Sequence, residues 1–229
     1  MGKYQEETDR ATREEAWRAV TDRRLKDRAK LDELYDKLIA KRHQLALNAG
    51  FKNFRDYAFR ARRRFDYTPE DCHNFAKGVE QHVVPALRTI LKQRRETLGV
   101  STLRPWDLAV DTKGRPPLKP FTTGEDLFQR SARVFQRMDP SLGELFMSLR
   151  SDGCLDLDSR KGKAPGGYQA TRDRQRMPFI FMNAAGLQRD VETMVHEAGH
   201  AFHALLSRAE PLLAYRGEIP IEFCEVASM

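Results

Sequence analysis

Asp190-Val191-Glu192-Thr193-Met194-Val195-His196-Glu197-Ala198-Gly199-His200-Ala201-Phe202-His203 is the stretch on which the fold turns. Val191, Met194, Val195 and Phe202, continued by Leu205 and Leu206, recur at helical spacing, so a helix with one apolar face is expected over 190–207. On such a helix His196 and His200, four residues apart, project from one face and can grip one metal ion. Glu197 is rotated by one position. It can reach a water on the ion without being a ligand, which is the geometry of a general base. Two neutral imidazoles, a third protein ligand and an open fourth position suit one catalytic Zn(2+) per chain. Such an ion brings the pKa of bound water to about 7 and polarises a carbonyl, and Glu197 would carry the proton to a leaving amine.

A chance match of His-Glu-x-x-His is weighed against by its setting, since three of the chain's six histidines fall within these eight residues. The third ligand must lie further along. The metzincin spacing fails, because His203 stands where that pattern requires Gly and Leu206 where it requires His. A glutamate is then expected, and Glu210, Glu218, Glu222 and Glu225 are available. Ile219-Pro220-Ile221 reads as the start of a second helix that presents Glu222 and Glu225 on neighbouring faces, and spacing leaves the choice open. His203 is expected to hydrogen-bond around the ligands rather than to join them. Cys224 is expected to be small core packing.

Working back from the motif, Met177-Pro178-Phe179-Ile180-Phe181-Met182 is an apolar run of strand length, and Leu155 and Leu157 alternate with Asp156 and Asp158 as in a short strand. Lys161-Gly162-Lys163-Ala164-Pro165-Gly166-Gly167-Tyr168 between them is rich in turn residues. A small sheet should therefore precede the motif helix. Helical patterns occupy 125–138 and 142–149. Residues 101–122 hold prolines 105, 116, 117 and 120 and read as a loop or linker between a helical subdomain over 1–100 and a second unit over 123–229. In the first hundred residues Leu31, Leu34, Tyr35, Leu38, Ile39 and Leu45 form a helical stripe ended by Asn48-Ala49-Gly50, and two long helices are expected to pair. Thr68-Pro69-Glu70-Asp71 is a helix start with Thr as cap and acids in the first turn, running to Leu98 with Pro85 kinking it and Gly99 closing it.

The net charge of +7 invites a nucleic-acid reading. Basic and acidic residues are interleaved, however, as in Arg13-Glu14-Glu15, which is the pattern of solvated helix faces, and no nucleic-acid partner is expected. No stretch approaches the roughly 18 apolar residues of a membrane span, and no signal peptide is visible. Three separated cysteines, Cys72, Cys154 and Cys224, fit reduced thiols and a cytoplasmic setting. The competing reading is a basic helical module that docks on RNA or an acidic partner and carries His-Glu-x-x-His incidentally.

The motif run, followed by Phe223-Cys224-Glu225-Val226-Ala227-Ser228-Met229, resembles the M3 metallopeptidases, the oligoendopeptidase F and thimet oligopeptidase group. The resemblance implies a mainly α, multi-helical, zincin-like fold with a small β-sheet next to the motif helix, and a zinc endopeptidase acting on oligopeptides. It selects Glu225 as the third ligand. It also implies that Gly166, Gly167 and Tyr168, or the 179–183 segment, lie beside the cleft and offer main-chain hydrogen bonds to an extended peptide. Family members continue beyond the point that corresponds to Met229 into helices bearing transition-state-stabilising Tyr and His residues, so the chain reads as a fragment ending just after the third ligand. A fragment of this kind is expected to turn over slowly.

Overall fold

The computed structural model describes residues 2–151, 153–212 and 219–229, and the chain divides into two compact units, Met1–Pro117 and Leu118–Met229. In the first unit α1 (Arg10–Leu25), α2 (Arg28–Asn48), α3 (Phe54–Ala61), α4 (Pro69–Gly78) and α5 (Val84–Leu98) follow one another. Thr68 caps α4 through a reciprocal box with Asp71. Pro85 has no N–H to give back to the preceding turn, and the path between α4 and α5 widens into a π segment, Val79–Val83. Gly99, at φ +65°, ends α5 in the left-handed conformation that a glycine adopts without a steric penalty.

The expected pairing of long helices is not what covers the α2 stripe: Leu31, Leu34, Tyr35, Leu38 and Ile39 are all exposed. Helical spacing places residues on one face and is silent on what packs there. A short turn, Pro105–Asp107, buries Trp106 against Trp17 with ring centroids 5.3 Å apart. It also buries Asp107, whose carboxylate accepts from Arg10 Nε and Nη2 at 2.9 Å and from the Arg104 backbone N–H at 2.9 Å, with Arg13 Nη2 at 3.4 Å.

In the second unit α6 (Gly124–Met138) and α7 (Pro140–Ser151) form a hairpin, and three strands follow: β1 (Leu155–Asp158), β2 (Gly167–Arg172) and β3 (Met177–Ala184). The sheet order is β1-β3-β2, with β3 parallel to β1 and antiparallel to β2. Strand β2 begins inside the stretch whose glycines suggested only turns. The motif helix α8 (Gln188–Leu206) and α9 (Ile221–Ser228) complete the unit. Its core is aromatic: Phe128 stacks on Phe146, and Phe135 meets both Phe146 and Phe202, each pair with centroids 4.9 Å apart. From α8 the core takes Met194, Ala198, Ala201, Phe202 and Leu205. Val195 and Leu206, expected on that apolar face, are exposed, because the face is narrower than hydropathy alone indicates. Among the described residues no helix is long and apolar enough to cross a membrane.

Burial pushes the Asp107 carboxyl up, but the Arg10 hydrogen bond and the Arg104 N–H outweigh it and hold the pKa below the usual value. A carboxyl depressed in the folded state contributes stability above its unfolded pKa and loses it as pH falls through the folded one. Removing one partner of a buried ion pair costs about 3 kcal/mol or more. Asp107→Asn should therefore lower the urea midpoint of the first unit, read from Trp17 and Trp106, the chain's two tryptophans. The variant should also lose the Asp107 share of the decline that the parent protein shows at acid pH, while the other depressed carboxyls, such as Asp111, keep theirs.

Candidate metal centre

Helix α8 starts directly behind β3. The turn between them is held by Asp190, whose Oδ2 accepts from the Ala185 and Leu187 N–H groups at 2.8 and 2.9 Å. With Met194, Ala198, Ala201 and Leu205 locked into the core, the 3.6-residue repeat leaves His196 and His200 on the opposite face. Their Nε2 atoms lie 3.2 Å apart and the rings are nearly perpendicular, at 86°. Glu225, on α9, brings Oε2 to 3.4 Å from His196 Nε2 and 3.7 Å from His200 Nε2. Four ligands held at about 2.0–2.1 Å round a tetrahedral ion lie about 3.3 Å from one another, so this triangle has the edges of such a site. His196, His200 and Glu225 are the group of donors able to hold a metal ion among the described residues.

The other glutamates do not converge there. Glu210 accepts from the Leu212 N–H at 3.1 Å, Glu222 lies one turn before Glu225 outside the triangle, and Glu218 lies outside the described residues. Glu197 is buried, 7 % exposed, and its carboxylate accepts no hydrogen bond from a described residue. His203 does not join the ligands either. Its ring makes no hydrogen bond to His196, His200 or Glu225 and instead lines a cleft of about 450 Å³ with His200, Gln169, Thr171, Arg208 and Cys224. Burial and the neighbouring Glu225 charge push the Cys224 thiol up.

The sequence model of peptidase family M3 matches residues 3–229. The chain belongs to peptidase family M3. It is 24 % identical over 174 residues to the chromosomal oligoendopeptidase F of Lactococcus lactis subsp. cremoris, covering 76 % of this chain and 28 % of that protein. Two solved structures resemble it in fold. An X-ray structure designated oligoendopeptidase F matches with a TM-score of 0.91 at 31 % identity, and one of PZ peptidase A with an inhibitor matches with 0.87 at 33 %. Each covers 98 % of this chain and 40 % of the solved chain. The M3 chain thus spans well under half the length of the relatives it matches.

In this M3 peptidase chain the cleft wall opposite α8 is β2. Gly167 pairs with Met182 of β3, and a side chain at Gly167 would place its Cβ 2.7 Å from Thr193 Cγ2, one turn before His196. The missing side chain is what lets the strand lie against the motif helix. Gly166, at φ +93°, accepts from the Asn183 N–H at 3.0 Å, and Tyr168 is exposed and stacks on Phe181. Among the described residues no strand pairs with the outer edge of β2.

Ser228 was missed by sequence reasoning. Its single hydroxyl proton is shared between two acceptors of one residue, the Glu225 carbonyl oxygen at 3.0 Å and Glu225 Oε2 at 3.2 Å. A serine three residues after a carboxylate on a helix is the signal that could have found it. Hydrogen bonds to metal-binding carboxylates typically carry a 10–100-fold effect on metal affinity. Because Glu225 is half exposed, Ser228→Ala should weaken binding by about tenfold, the low end of that range, measured by competition with a chromogenic chelator.

Proposed function

We propose that this chain carries the zinc-binding part of the active site of an endopeptidase that hydrolyses oligopeptides. The observation that carries the reading is the His196, His200 and Glu225 triangle, with Glu197 next to it on the same helix and its carboxylate free of hydrogen bonds from the described residues. Two imidazoles and one carboxylate suit zinc better than calcium or magnesium, which prefer all-oxygen surroundings. When bound, zinc polarises the scissile carbonyl and lowers the pKa of water at its open position to about 7.

The protein's own residues do the rest. His196 and His200 hold the ion as neutral rings, and Glu225 adds a negative charge. Glu197, next to His196 and rotated from it by one helical position, takes the proton from the attacking water and delivers it to the departing amine. The lack of a described hydrogen-bond partner leaves the carboxylate available for that water. The substrate lies as an extended strand along the outer edge of β2, where, within the Gly166, Gly167 and Tyr168 stretch, the main chain of Gly167 faces outward to supply hydrogen bonds, the Gly166 carbonyl being taken by the Asn183 N–H. His203 forms part of the wall on the far side of His200. In this reading 123–229 belongs to a catalytic domain, with 1–100 a helical subdomain and 101–122 their connection, and the protein works in the cytoplasm with reduced cysteines.

Atomic absorption on the purified protein should find one zinc per chain. Glu197→Gln should keep that zinc and cut cleavage of an internally quenched oligopeptide by 10²–10⁴, the range of a lost general base. Undiminished cleavage by the variant, or a protein that takes up no zinc, would sink the reading.

A further inference from the structure

We propose that Gly199 is a positioning residue for the third metal ligand: the absent side chain at this point of α8 sets how closely α9 can dock, and so whether Glu225 reaches His196 and His200. A Cβ added at Gly199 would lie 2.6 Å from Ser228 Cα and nearer still to the Ala227 carbonyl oxygen. Both are backbone atoms and cannot swing aside as a flexible side chain could. The two helices therefore touch main chain to main chain, and they do so between the two histidines of the motif. Ala227 and Ser228 follow Glu225 by two and three residues, and Ser228 is the residue whose hydroxyl holds the Glu225 carboxylate. Any outward shift of α9 that makes room for a methyl group moves Glu225 with it. Its oxygen sits 3.4 and 3.7 Å from the imidazole nitrogens, and a shift of roughly an ångström would place it outside the reach of an ion bound to both.

The same position opposes this role in isolation. Alanine is the better residue for a helix interior, and Gly199 is not in the left-handed region where glycine would be required. Its presence is accounted for by the approach of α9 alone. Ala198 and Ala201, the neighbouring small residues, face the core and make no such contact.

The inference rests on the zinc reading only in taking Glu225 as a ligand, and two measurements separate them. In a double-mutant cycle read by chelator competition, Gly199→Ala should weaken zinc binding by about 10–100-fold, the span seen when ligand support is lost. In a Glu225→Gln background it should add almost nothing, because both changes remove the same contact. Full additivity, or unchanged affinity in the single variant, overturns the proposal. Hydrogen exchange on the metal-free protein supplies the second test. Gly199→Ala should strip protection from the amides of 221–228 while the α6, α7 and β3 core keeps its protection, which also shows that the variant has folded. If α9 stays protected, the proposal fails, whatever the protein's affinity for zinc. If no zinc binds to the parent protein while α9 loosens in the variant, the docking role stands and the zinc reading falls.

Discussion

Two imidazole nitrogens and a carboxylate oxygen, with edges of 3.2, 3.4 and 3.7 Å, make a demand on the backbone that local propensity cannot meet. The histidines are delivered by one helix at i and i+4. The carboxylate comes from another, whose approach has to be closer than ordinary side-chain packing permits. Gly199 removes the obstacle on α8, and Ser228 holds the carboxylate once it has arrived. The sheet solves the same problem on the other side of the motif, where Gly167 lets β2 lie against Thr193. Two glycines without side chains thus bring a strand edge and a ligand helix to opposite flanks of one pair of histidines.

Rigidity comes from the apolar side of α8. Met194, Ala198 and Ala201 are fully buried, and Phe202 closes an aromatic cluster with Phe135 and Phe146. Turning the helix to relieve strain at the ligands would expose that surface, so the ligand face is fixed by the packing behind it. Glu197 sits at the boundary between the two. Its side chain is largely buried, while its carboxylate has no hydrogen bond from a described residue and is left to take a proton from water.

Much of this was legible in the residues. The motif helix was expected over 190–207 and spans Gln188–Leu206, and the capping of α4 by Thr68 followed from local hydrogen-bond chemistry. Strand β2 was hidden because Gly166 and Gly167 signal turns, and because its pairing with β3 is non-local. The choice of Glu225 over Glu222 could not be made from spacing, since both lie on one short helix; the family resemblance pointed to Glu225, and the docking of α9 brings that residue to the histidines. Val195 and Leu206 misled in the opposite direction: they are apolar by composition and exposed in place. The exposed stripe on α2 repeats that lesson, as periodicity reports a face without reporting its cover.

The ligand set itself is the claim on which everything else depends, and X-ray absorption at the zinc edge tests it most directly. The zinc should show a shell of nitrogen and oxygen at about 2.0–2.1 Å, with the outer-shell scattering of two imidazole rings and no sulfur. Sulfur at about 2.3 Å would mean that Cys224 has displaced its neighbour Glu225. A shell containing one imidazole or none would contradict the site altogether.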